Sequence, residues 1–133
     1  MSVYSVTNSW GSSSGNPGGT YVLGARGNQN VVAIDVKSDD GGETLTGTMT
    51  YAGEGPIGFQ AKQFAANNYT VQNQWGGSSA PWHPGGNWVI GARCGQGVIM
   101  LNVHSDDGGQ TLHGQMNYSG EGPIGFEGSL QQQ

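Results

Sequence analysis

Apolar and polar residues alternate along much of this chain with the period of a half-buried β-strand. Val31–Ser38 (VVAIDVKS) alternates from Val32 onward, and Thr44–Tyr51 (TLTGTMTY) is rich in threonine and aromatic residues. Between them, Ser38-Asp39-Asp40-Gly41-Gly42 reads as a hairpin connection whose glycines reach positive φ. Ser105–Gly109 repeats it. The same reading predicts strands over Tyr4–Trp10, Thr20–Arg26, Val31–Ser38, Thr44–Tyr51 and Gly58–Gln63. It predicts a second set over Tyr69–Trp75, Asn87–Arg93, Val98–Ser105, Thr111–Tyr118 and Gly125–Leu130. No window sustains a helical period. Ten short strands with glycine-rich turns predict an all-β fold, an antiparallel barrel or sandwich.

The two sets are one unit written twice. Gly18–Phe59 and Gly85–Phe126 align at a constant shift of 67, with 26 of 42 positions identical. The junction Ala65-Ala66-Asn67-Asn68 is short and polar, which suits a tight turn. With 133 residues in all, each repeat is small for independent folding. A single domain over 1–133 is expected, with repeat one over about 1–66 and repeat two over about 67–133.

Charge narrows the function. Four basic residues and a net charge of −5 disfavour binding to nucleic acid or to an anionic membrane surface. The single cysteine, Cys94, excludes an internal disulfide, and it aligns with Gly27, so the repeat requires no thiol there. The opening MSVYSVTNSWGSSSG has no basic region or apolar run, and no segment is long enough to span a bilayer. The expectation is a cytoplasmic protein, or one released without a leader.

Three segments of each repeat carry candidate chemistry: the Trp-Gly loop after the first strand (Trp75–Gly86 in repeat two), the Gly-Ala-Arg triplet, and Gly53–Phe59 with its mirror Gly120–Phe126. A tryptophan beside glycines offers a flat apolar face next to bare backbone donors. An arginine fork and a carboxylate add charged hydrogen-bonding groups. Sugar rings, with C–H faces and paired hydroxyls, fit such a set. Structural readings stand beside this one. Trp10 and Trp75 could be core residues, Arg26 and Arg93 could pin loops through Glu54 and Glu121, and Glu-Gly-Pro could be only a turn. Recurrence does not decide between them, since stability would preserve the same residues.

Enzyme readings are weaker. Glu54 and Glu121 are repeat equivalents in like environments, not the split acid and base that a glycosidase needs. Asp39-Asp40 and Asp106-Asp107 suit turn chemistry better than Ca²⁺ binding. His83, His104 and His113 have no counterparts in repeat one, which argues against zinc. No cofactor is expected.

Asn73–Trp82 (NQWGGSSAPW), Gly91-Ala92-Arg93, Ser105–Leu112 (SDDGGQTL) and Gly120–Phe126 (GEGPIGF) resemble the Oscillatoria agardhii agglutinin homologue family, over essentially the whole chain. The resemblance implies a compact ten-stranded antiparallel β-barrel in which the repeats exchange a strand. It implies a metal-free lectin for the branched mannose core of high-mannose N-glycans, agglutinating and antiviral (HIV among its targets) through envelope glycoproteins. It further implies two sites at opposite ends of the barrel, each drawn from both repeats. One would use Trp75, Gly76 and Gly77 with Arg26, Glu54 and Gly55. The other would use Trp10, Gly11 and Ser12 with Arg93, Glu121 and Gly122. The expected partners are high-mannose oligosaccharides and glycoproteins, bound by a monomer.

This chain departs from the pattern once. Trp10 to Trp75 is a shift of 65, so the first loop is two residues shorter, lacks Ala-Pro-Trp, and has Ser12 in place of the second glycine. Loop length decides where backbone groups point. Normal binding, weaker binding and altered preference all stay open for the Trp10 end. Two other classes remain as alternatives: a structural or self-association module, and a glycan-processing enzyme.

Overall fold

The structure, a computed structural model, describes residues 3–8, 19–23, 30–65, 68–73, 86–91 and 96–131. Among these are ten strands: β1 (Val3–Asn8), β2 (Gly19–Val22), β3 (Val31–Lys37), β4 (Thr44–Tyr51), β5 (Ile57–Ala65), β6 (Asn68–Asn73), β7 (Gly86–Val89), β8 (Val98–His104), β9 (Thr111–Tyr118) and β10 (Ile124–Leu130). They match the expected set one for one, with shifted bounds. β2 and β7 end at Val22 and Val89, and the expected remainders over 24–26 and 92–93 lie outside the described residues. Gly91, at φ 112°, takes the chain out of extended geometry just after β7. β5 runs on to Ala65 through a bulge between Gln63 and Ala65.

The strands form one antiparallel sheet in the order β2-β1-β10-β9-β8-β3-β4-β5-β6-β7. At its centre β3 pairs with β8, and Asp35 faces its own repeat equivalent, Asn102. The outer pairings join the repeats: β1 lies on β10 and β6 lies on β5. The sheet curls, so that β2 and β7, last in the order at either side, approach each other.

One hydrophobic cluster holds the fold together, and both repeats supply it. Alternation sends one set of side chains inward. β3 and β8 have identical burial patterns, as expected of equivalent strands in equivalent places. Aromatic contacts cross the repeats. Phe59 meets Trp88 edge-on at 5.4 Å, and Tyr21 meets Phe126 edge-on at 5.8 Å. The two sides differ in polar detail. The Tyr21 hydroxyl lies 3.3 Å from that of Tyr118, whereas the buried Trp88 Nε1 has no partner.

Each Ser-Asp-Asp-Gly-Gly hairpin is held from within. Ser38 Oγ accepts from the amides of Asp40 and Gly42 at 3.2 and 2.8 Å, and donates to Asp40 Oδ1 at 2.7 Å. Asp40 then accepts from Thr44 N at 2.9 Å and Thr44 Oγ1 at 2.7 Å. Ser105, Asp107 and Thr111 repeat this bonding. These bonds, led by the threonine backbone N–H, hold the Asp40 and Asp107 carboxyls down at about 2. A buried tyrosine from the other repeat caps each hairpin: Tyr69 Oη donates to Gly42 O, and Tyr4 Oη to Gly109 O, both at 2.8 Å. Burial pushes both phenols up to about 12.

Candidate functional site

Strand direction sorts the connections into two ends. At one end lie the β4–β5 turn with Glu54, the hairpin 105–110, and the strand ends Leu23, Asn30, Asn73 and Gly86. At the other lie the β9–β10 turn with Glu121, the hairpin 38–43, and the strand ends Asn8, Gly19, Ile90 and Gln96. Trp10, Gly11, Ser12, Arg26, Trp75, Gly76, Gly77 and Arg93 lie outside the described residues, as do Cys94 and His83. The strand ends beside Trp75 and Arg26 belong to the Glu54 end, and those beside Trp10 and Arg93 to the Glu121 end.

Glu54, Gly55, Glu121 and Gly122 are all described, and all are exposed. Glu54 N donates to Tyr51 O at 3.1 Å, closing a tight turn, and Glu121 N donates to Tyr118 O at 3.0 Å. The third residue of each turn is a glycine in the left-handed region, Gly53 at φ 84° and Gly120 at φ 85°. Those glycines are required by the turn. Gly55 and Gly122 are not: their φ lies outside that region, and a methyl group there would meet open space. Something other than the local fold accounts for bare backbone beside each glutamate. A ligand that packs against the main chain is one such reason.

Each turn is also tied to the segment entering the next central strand. Ala52 N donates to Asn30 O, and Ser119 N to Gly97 O, both at 3.0 Å. At the Glu121 end the Gln96 side chain bridges the turn. Its Nε2 donates to Ser119 O at 3.2 Å and to the Glu121 carboxylate at 3.1 Å. Asn117 Nδ2 adds a longer bond to Glu121 O at 3.4 Å. Sequence reasoning passed over both residues. Gln96 left a signal, since it aligns with Gln29 within the repeat. Asn117 left none, since its counterpart is Thr50.

Glu54 and Glu121 do not face each other. They sit at opposite ends of eight-residue strands, roughly 25 Å apart along the strand direction. A glycosidase pair flanks one bond at under about 10 Å. Of the hairpin aspartates, Asp40 and Asp107 are committed to their turns. His104 and His113 lie on the outer face, each 3.4 Å from a carboxylate, Asp35 and Asp106 respectively. Among the described residues no group of three or more His, Cys, Asp or Glu is arranged to hold a metal.

A concavity of about 540 Å³ lies elsewhere, on the outer face of β4–β6, lined by Thr44, Gln60–Phe64 and Thr70, none of them an expected site residue. Phe64, 59% exposed, stands there at the β5 bulge.

The model of the OAA-family lectin sugar binding domain matches the chain twice, over residues 2–64 and 67–131. The chain is 60% identical over 129 residues to "Lectin OAA" of Planktothrix agardhii, covering 96% of this chain and 98% of that one. It is 60% identical over 132 residues to the "Myxobacterial hemagglutinin" of Myxococcus xanthus, covering 98% of this chain but 49% of that protein. Thus it spans about half the length of the latter. The crystal structure of the Myxococcus xanthus hemagglutinin in complex with α3,α6-mannopentaose superposes with a TM-score of 0.84 at 59% identity, over 98% of this chain and 50% of that one.

Proposed function

Because the chain belongs to the OAA family of lectins, we propose that it binds the branched mannose core of high-mannose glycans at both ends of its curled sheet. The family members are sugar-binding proteins, and the chain is not an enzyme. The observation that carries the reading is the recurring Glu-Gly pair: an exposed carboxylate beside a glycine that the fold does not require, at opposite ends. A related protein holds a branched mannopentaose, which supports the choice of ligand.

In this reading the sheet closes into a ten-stranded barrel with the opening strands exchanged between repeats, forming one domain. The approach of β2 to β7 and the β1–β10 and β6–β5 pairings support it. Trp75, Gly76 and Gly77 then complete one site with Arg26, Glu54 and Gly55. Trp10, Gly11 and Ser12 complete the other with Arg93, Glu121 and Gly122. Each tryptophan stacks on a mannose ring while arginine, glutamate and backbone amides hold hydroxyls. Two sites on one rigid body bridge glycans, so the protein agglutinates and gains avidity on glycan-dense surfaces such as viral envelopes. The test is binding to a high-mannose glycoprotein, competed by branched mannopentaose far better than by free mannose. A glycoprotein that fails to bind sinks the reading.

One observation favours self-association as a second reading: Phe64 exposed beside a concavity. Sedimentation at rising concentration separates the two, since the lectin reading expects a monomer without glycan.

A further inference from the structure

Two side chains outside the expected site converge on one of its members. Gln96 precedes β8, and Asn117 lies on β9 two residues before the turn that carries Glu121. Gln96 Nε2 gives two bonds to this turn, one to the Ser119 carbonyl at 3.2 Å and one to Glu121 Oε2 at 3.1 Å. The first fixes where the amide sits, and the second fixes where the carboxylate points. Asn117 Nδ2 reaches the Glu121 carbonyl at 3.4 Å, holding the main chain on which that side chain is mounted.

The Asn117 contact is not favoured by stability alone. Its Oδ1 is buried without a partner, an arrangement that costs folding free energy. Repeat one places Thr50 at the equivalent position, where no amide exists to make the bond. The molecule therefore carries, at the Glu121 end, an asparagine whose favourable contact is to the glutamate turn and whose other polar atom is stranded.

We infer that Gln96 and Asn117 are positioning residues that preorganise the Glu121 carboxylate for a saccharide, and that Asn117 gives this end a constraint absent at the equivalent position of the Glu54 end. This rests on the reading of Glu121 as a sugar-binding residue. A carboxylate already aimed at the ligand loses less conformational freedom on binding, so affinity rises with no new contact to the sugar. The constraint lies at the end whose tryptophan loop is two residues shorter.

The test is an amide NMR titration of branched mannopentaose on the full chain, read separately at the turns 52–56 and 119–123. Gln96→Ala should weaken binding about threefold to tenfold at the Glu121 end, the factor that ordering one side chain on binding costs. It should leave the Glu54 end unchanged, and should have no further effect in a Glu121→Ala background. Asn117→Thr imports the residue that the chain already tolerates in repeat one, so folding is safeguarded. It should weaken the same end while leaving the melting temperature unchanged or raised, because the stranded acceptor is gone. Equal losses at both ends, a fall in melting temperature that tracks the affinity loss, or an unabated Gln96→Ala effect without Glu121 would each overturn the inference. If Glu121→Ala itself leaves its end unaffected, the underlying sugar-site reading fails first, and this one with it.

Discussion

Two segments of five or more residues recur without a single change between the repeats: the hairpins Ser38–Gly42 and Ser105–Gly109, and the turns Gly53–Phe59 and Gly120–Phe126. In the hairpins, serine, the second aspartate and a following threonine satisfy one another, and a tyrosine of the other repeat closes over the last glycine. Their repetition is explained by folding. In the turns, Gly53 and Gly120 are explained by folding, but the glycines after the exposed glutamates are not. Recurrence alone cannot separate stability from function. An account of which hydrogen bonds and backbone angles the fold consumes can.

The sharpest way to break this contrast is to remove the carboxylates. Glu54→Ala together with Glu121→Ala should cut glycan affinity roughly tenfold to hundredfold per end, from charged hydrogen bonds of about 1.5–3 kcal/mol each. Calorimetric titration reads the loss, and thermal melting should move little, since both carboxylates are exposed. Tyr69→Phe should do the reverse. It strands the Gly42 carbonyl in the interior, costing about 1–3 kcal/mol in urea denaturation, while affinity at the turns persists.

Gly55→Ala and Gly122→Ala are smaller and more pointed. Each stiffens the unfolded chain at a site with room for a methyl, so stability should hold or rise by up to about 1 kcal/mol. Affinity should fall, because the ligand loses its approach to the main chain. A drop in stability with affinity intact would make the second glycine structural after all.

Acid gives the mildest test. The Asp40 and Asp107 carboxyls sit at about 2 in the folded state against an ordinary 3.8. Since folding lowers these values, their stabilisation is fully present above pH 4 and is lost as pH falls from about 4 to 2. Asp40→Asn with Asp107→Asn should flatten melting temperature against pH in that window.

Much of this was readable in the chain. Period-two alternation located ten strands, because burial on one face forces it. The hairpins were readable because Ser, Asp and Gly each have a specific use in a turn. Strand partners were not, since alternation says which face a residue takes and not which neighbour it meets. The β1–β10 and β6–β5 pairings, and with them the assignment of each connection to an end, needed the structure. The end of β7 at Val89 was not readable, because a backbone angle such as that of Gly91 does not show in an apolar run. Gln96 was hidden as one glutamine among many, and Asn117 by its divergence from Thr50. The exposure of Phe64 was readable in part: with Ile57, Phe59 and Ala61 turned inward, alternation sends Phe64 outward.

The most direct measurement is the amide spectrum of the wild type and of Glu121→Ala during titration with branched mannopentaose. The account predicts that the turns 52–56 and 119–123 both shift on binding in the wild type. In the variant the shifts at 119–123 should weaken sharply while those at 52–56 saturate as before. Shifts at neither turn, or a variant that silences both ends together, would contradict two independent glycan sites at opposite ends of the sheet.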